Sequence, residues 1–84
     1  MADTMMKLYQ FESCPYCKMV RERLSELQVT YININVPRDK MQRDEVERVS
    51  GQRTVPVLVD GETVLDDEEK ILPYLDRKYA KVGT

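Results

Sequence analysis

Both cysteines of the chain fall in one tetrapeptide, Cys14-Pro15-Tyr16-Cys17. A strand-like run, Lys7-Leu8-Tyr9-Gln10-Phe11, leads into it, and helix-like periodicity begins at Pro15. A thiol at a helix N-terminus meets unpaired backbone N–H groups and the positive end of the helix dipole, and both favour thiolate. Thiolate is the form that attacks disulfides, so the motif predicts reversible thiol–disulfide exchange. The chain has no histidine. Activation of the thiol therefore falls to the helix terminus, to local N–H donors and to a cationic side chain.

The two sulfurs are predicted to be unequal. Cys14 lies at the cap and is the expected nucleophile; in such motifs the pKa of the attacking thiol falls to roughly 3.5–7.5. Cys17 is one turn inside the helix, on the apolar stripe with Val20 and Leu24. It is expected to be shielded and less ionised, the resolving thiol to an exposed Cys14. Two other readings stand beside this one. The pair could be inert small hydrophobes. It could also ligate metal, but two thiolates fill half of a tetrahedral site and the chain offers no further Cys or His. Only an iron–sulfur cluster shared between copies, completed by external thiols, would fit, so no metal ligands are assigned.

The surrounding pattern supplies the elements that must hold the motif. Met5–Gln10 reads as a strand. From Pro15 to Leu27, the residues Cys17, Val20, Leu24 and Leu27 recur at helical spacing, with proline suited to the first helical position. Thr30–Val36 alternates, placing Ile32, Ile34 and Val36 on one buried strand face. Asp39 and Gln42 have the spacing of a capping box and open a helix over about Lys40–Ser50, with Met41, Val46 and Val49 inward and Gly51 as its stop. Val57-Leu58-Val59 and Thr63-Val64-Leu65 are strands joined by an Asp60-Gly61 turn. A last helix spans Asp66–Ala80, with Ile71, Leu72, Leu75 and Tyr79 inward and Lys78 and Lys81 near its end. Pro73 predicts a kink or break in it. Tyr9 and Tyr31 are expected in the core.

The resulting order, β-α-β-α-β-β-α, predicts an α/β domain with a four-stranded mixed sheet flanked by three helices. Eighty-four residues suffice for one domain, residues 1–84, with a core of about 5–80; Met1–Thr4 and Val82–Thr84 look expendable. Thirteen basic against fifteen acidic residues, a net charge of −2, give no footprint for nucleic acid. The apolar runs are too short for a membrane span or a secretory signal. A monomer in the reducing cytoplasm is the expectation.

With these elements in place the chain resembles a glutaredoxin, of the thioredoxin-fold superfamily. The likeness rests on Cys14-Pro15-Tyr16-Cys17 after the first strand and Gly51-Gln52-Arg53-Thr54-Val55-Pro56 before the third. The stretch from Pro56-Val57-Leu58-Val59-Asp60-Gly61 through Asp67-Glu68 to Tyr74-Leu75 is also similar to the N-terminal domains of glutathione transferases. The resemblance implies a dithiol oxidoreductase with no bound cofactor, glutathione as co-substrate, and disulfide-containing or glutathionylated proteins as partners. It implies a cis peptide before Pro56, facing the cysteines, with Thr54 in the same loop and the Val55 backbone docking the cysteinyl segment of glutathione as an added strand. It implies that Asp67 and Glu68 hold the γ-glutamyl end. Tyr16, by its place in the motif, is expected to be exposed and able to stack on or hydrogen-bond to a thiol ligand.

The chain departs from the family at three places. Phe11 stands where glutaredoxins commonly carry Lys or Arg, with Glu12 next, leaving Arg53 or Arg43 to supply the cation. Glu68 stands where transferase relatives place Ser or Thr, and Leu65-Asp66 replaces a Gly-Gly pair. These departures keep two alternatives in view. One is a redoxin of the same chemistry fed by a thioredoxin reductase or another small thiol; the other is an iron–sulfur or non-catalytic binding module. For Asp67 and Glu68 the competing reading is a capped, acidic first helical turn.

Overall fold

The computed structural model describes residues 5–79. Strand β1 (Lys7–Gln10) is central, and its alternating side chains feed two cores. Leu8, with Met6, packs against Val20 and Leu24 of helix α1 (Pro15–Glu26) and Ile71 and Leu75 of helix α3 (Glu68–Tyr79). On the opposite face Tyr9 packs with Val57 and with Val46 of helix α2 (Asp44–Ser50). The sheet therefore lies between α1 and α3 on one side and α2 on the other. Each fully buried Leu or Val contributes about 1.5–3 kcal/mol relative to an exposed one.

The strand order is β2-β1-β3-β4, with β2 Ile32–Asn35, β3 Val57–Asp60 and β4 Thr63–Leu65. β1 and β2 pair in parallel, Tyr9 opposite Ile34; β1 and β3 are antiparallel, Tyr9 opposite Val57; β3 and β4 are antiparallel, Leu58 opposite Leu65. This register brings the ends of β1, β2 and β4 and the start of β3 to one edge of the domain. Every predicted site residue lies in or beside the connections at that edge.

Four expectations need correction. Lys40–Gln42 is a separate 3-10 turn, N-capped by Asp39, and the α-helix begins only at Asp44. The break at Arg43 shifts the helical phase, so Met41 is 75% exposed rather than core. Ile32 is exposed because β2 is an edge strand and the cover on its face reaches only Ile34 and Val36. Finally, α3 begins at Glu68 and runs through Pro73 without a break. The carbonyl that proline leaves without a helical donor belongs to Glu69, and both residues are exposed, so water can satisfy it. Lys81 and the termini judged expendable lie outside the described residues.

Helix α1 ends in a Schellman motif. The Val29 N–H donates to Leu24 C=O and the Gln28 N–H to Ser25 C=O, each at 3.0 Å. Gln28 takes the left-handed position at φ 58°, which glycine usually fills, whereas Gly51 closes α2 at φ 89°.

Candidate thiol–disulfide site

Pro15 is the first residue of α1 and Cys14 its N-cap. The Cys14 Sγ stands where a serine or aspartate oxygen would stand in an ordinary cap, accepting the Cys17 backbone N–H at 3.2 Å. A second bond, Cys14 N–H to Phe11 C=O at 3.2 Å, tightens the approach to the helix. The sulfur thus receives a helix N-terminal donor, an arrangement that favours negative charge on it. Both cysteines are free thiols.

The expected asymmetry takes a different form from the one anticipated. Cys14 is not exposed: it is 5% accessible, against 0% for Cys17. Its cap position sinks the sulfur into the turn that the following N–H groups close. The difference between the two lies in hydrogen bonding and solvation. Burial pushes the Cys17 thiol up to about 12, with its hydrogen bond to Cys14 adding to the effect. At neutral pH Cys17 is held as the thiol.

The Val55–Pro56 peptide is cis. Since Tyr9 opposes Val57, continuing the antiparallel register sets this turn beside the β1–α1 loop that carries the cysteines. Thr54 is half-buried in the same turn, and among the described residues no hydrogen-bond partner is found for the Val55 N–H or C=O. Tyr16 is largely exposed at the second position of α1. Gln52 joins this edge to the start of α3 by donating to Asp66, whose carboxyl is held low first by Lys70.

Asp67 and Glu68 occupy the predicted helix start. The Asp67 carboxylate accepts the Glu69 N–H at 3.1 Å, and its carbonyl accepts from Lys70 and Ile71. One oxygen of Asp67 is therefore committed to capping α3. Burial, followed by the neighbouring Asp67 and Glu69 charges, raises the Glu68 carboxyl above its ordinary value.

Neither candidate cation is free. Arg53 pairs with Asp44 at 3.0 Å and Glu47 at 2.7 Å, and donates to Met41 C=O at 3.1 Å. Arg43 is 7% exposed and donates to the carbonyls of Pro37, Arg38 and Arg53 at 2.8, 3.0 and 3.0 Å. Its guanidinium also lies over the Phe11 ring, 5.1 Å from the centroid. One side chain thus ties together the exits of β1 and β2 and the loop leading to Pro56.

A polar network around the buried Gln10, reaching exposed Asn33 and Asn35 and half-buried Arg21, is absent from the sequence-based expectations. Gln10 donates to Asn33 at 2.6 Å and Asn35 at 3.0 Å, and accepts from Arg21. The only sequence signal was a polar residue on the Met6–Leu8 face of a core strand. Among the described residues no group of three or more His, Cys, Asp or Glu side chains is placed to hold a metal ion. No helix among them is long and apolar enough to cross a membrane.

A dithiol capping the first helix of a β2-β1-β3-β4 sheet, beside a cis-proline turn, defines a thioredoxin-like fold built for thiol–disulfide redox chemistry. Residues 6–64 match the family Glutaredoxin. The chain belongs to the glutaredoxin family. It is 34% identical over 62 residues to an uncharacterised glutaredoxin-like 8.6 kDa protein in the rubredoxin operon of Clostridium pasteurianum, covering 73% of this chain and 83% of that one. It is also 33% identical over 76 residues to glutathione S-transferase Z2 of Arabidopsis thaliana, covering 88% of this chain and 34% of the transferase. Among solved structures, a glutathione transferase homolog from Drosophila mojavensis with bound glutathione superposes with a TM-score of 0.85 at 30% identity, over 92% of this chain and 36% of that one. The chain thus spans about a third of the length of these transferases.

Proposed function

We propose that this protein is a glutathione-linked dithiol oxidoreductase that reduces protein disulfides or glutathionylated proteins. The observation that carries the reading is the Cys17 N–H bond to Cys14 Sγ at 3.2 Å, with Cys17 itself buried as a thiol. Cys14 thiolate attacks one sulfur of the substrate disulfide, forming a mixed disulfide and expelling the other sulfur as a thiolate, which takes up a proton. Cys17 then gives up its proton and attacks Cys14 Sγ. The Cys14–Cys17 disulfide forms and the second substrate thiol departs, so two electrons pass from the protein to the substrate. Two glutathione thiols restore the dithiol and leave as glutathione disulfide. Alternatively, a single glutathione resolves a glutathionylated Cys14.

The unpaired Val55 backbone offers an edge for the cysteinyl segment of glutathione, with Thr54, Pro56 and Tyr16 beside it. The start of α3 at Asp67 and Glu68 faces the γ-glutamyl end, and Arg53, in the loop before Pro56, supplies a cation for a ligand carboxylate by exchanging Asp44 or Glu47. The bound glutathione named for the fly homolog supports this pose by analogy. On this reading glutathione is a co-substrate, no cofactor is bound, and the protein works as a cytoplasmic monomer.

A second reading, reduction by a thioredoxin reductase, is favoured by Phe11 at the family's cation position and by the engagement of both Arg43 and Arg53. The test is to reduce the Cys14–Cys17 disulfide with glutathione and, separately, with a thioredoxin reductase and NADPH. Fast reduction by glutathione through a Cys14 adduct is expected; reduction by the reductase alone would overturn the glutathione reading.

A further inference from the structure

Cys17 presents a chemical difficulty that the two-thiol scheme does not resolve. It must ionise to attack Cys14, yet it is buried at 0% accessibility, and its burial opposes charge. Among the described residues no carboxylate is hydrogen-bonded to it. One turn further along α1, on the same face, lies Arg21.

The fixing of Arg21 is unusual for a helix cation. Its guanidinium donates to the Gln10 side-chain oxygen and to the Glu12 carbonyl, the latter at 3.4 Å. Gln10 is itself held by Asn33 and Asn35 across two strands. The side chain is 20% exposed, and its ion pair with Glu12, at 3.6 Å, involves a carboxylate that is 87% exposed and so offsets the charge only in part. A strand-anchored neutral network therefore holds a positive charge beneath the helix that carries both thiols.

We propose that Arg21 is the positioning residue of the resolving step: its anchored charge stabilises the Cys17 thiolate as it attacks Cys14. This rests on the assignment of Cys14 as attacker and Cys17 as resolver. In the step, Cys17 Sγ loses its proton, the Cys17–Cys14 S–S bond forms, and the bond from Cys14 to the substrate sulfur breaks. The departing sulfur takes the electron pair and the proton. Burial of Cys17 is opposed first by a backbone hydrogen bond at Phe11 and then by the charge of Arg21, which sits one helical turn away and is tied by its own hydrogen bonds to Gln10 and Glu12, the two neighbours of Phe11. Glu12 pairs with Arg21 at the surface, and Gln10, Asn33 and Asn35 are uncharged.

The test mixes the reduced full chain with one equivalent of the aromatic disulfide dithiobis(nitrobenzoate) in stopped flow, between about pH 6 and 9. The first burst of nitrothiolate reports attack by Cys14, and the second phase reports resolution by Cys17. Arg21→Met is expected to slow the second phase about three- to tenfold across the profile while leaving the first burst in place. Arg21→Lys is expected to recover most of the rate. Glu12→Gln, at an exposed side chain that leaves the fold alone, is expected to speed the second phase about twofold by removing a countercharge. An unchanged second phase in Arg21→Met, or a slowed one in Glu12→Gln, would overturn the proposal. Should Arg21→Met fail to fold, the sign of the Glu12→Gln effect decides. Loss of the first burst in the Cys17→Ser protein would overturn the underlying role assignment instead, and is seen separately from any change in the second phase.

Discussion

The guanidinium of Arg43 lies 5.1 Å from the centre of the Phe11 ring, and the same group donates to the Arg53 carbonyl at 3.0 Å. A residue at the position where the family commonly holds a cation is therefore covered by a cation from another element. That cation serves the scaffold: its N–H groups are spent on the carbonyls of Pro37, Arg38 and Arg53. Arg43→Ala would strand three acceptors in a largely buried place. We expect a loss of about 2–4 kcal/mol in urea unfolding. Arg43→Lys should recover only part of it, because one ammonium cannot span three carbonyls in fixed directions.

Asp60 fastens the far end of α3 to the β3–β4 hairpin. One oxygen accepts from Tyr74 at 2.7 Å, Tyr79 at 2.8 Å and Lys78 at 3.0 Å. Burial works against its charge, but these bonds prevail and hold the carboxyl below the usual range. A depressed folded-state value means that the stabilisation is fully present above the unfolded value near pH ~4 and is lost as pH falls through the folded one. Asp60→Asn should cost about 1–3 kcal/mol at pH 7 and flatten the acid limb of the stability profile. Thermal melts at several pH values would measure both.

Glu68 behaves with the opposite sign. Its raised carboxyl retains a proton to higher pH in the folded chain than in the unfolded one, so its charge is unfavourable at neutral pH. At the proposed γ-glutamyl end Glu68 would hold the ligand's α-carboxylate through its backbone N–H, so protonating its side chain removes a charge that repels that carboxylate. The KM for glutathione should therefore fall as pH drops through the raised Glu68 range. Glu68→Gln should lower KM about two- to fivefold at pH 7 and abolish that dependence. Steady-state kinetics from pH 4.5 to 7.5, a range chosen around ordinary carboxylate values of about 4–5, would check it.

Gln28 holds a left-handed conformation at φ 58° that costs a side-chain-bearing residue free energy. Gln28→Gly keeps the Schellman bonds to Leu24 and Ser25 and removes the steric penalty. The gain in unfolding free energy should be about 0.5–1 kcal/mol, with redox activity unchanged.

The element order was legible because each core segment keeps its own period: Cys17, Val20 and Leu24 for a helix, Leu58 between its paired neighbours for a strand. The Cys14–Cys17 motif and the Val55–Pro56 turn were legible as local chemistry, and the cis peptide implied by resemblance is present. What stayed hidden depends on distant partners. Arg43 looks like any surface base until the strand register brings three carbonyls and Phe11 around it. Gln10 and Arg21 are separated by a loop and two turns of helix, and nothing local announces their contact. The burial of Cys14 follows from how the cap folds back on itself. Met41 departs from its expected inward position because the break at Arg43 changes the helical phase, and that break is itself a tertiary effect.

The unequal roles of Cys14 and Cys17 carry the whole account, and limiting alkylation tests them most directly. The reduced protein would be treated at pH 7 with substoichiometric iodoacetamide and the label located by peptide mass spectrometry. The Cys17 N–H bond on Cys14 Sγ and the elevated Cys17 thiol predict label on Cys14 in at least about tenfold excess. Equal labelling of the two, or preference for Cys17, would contradict the account.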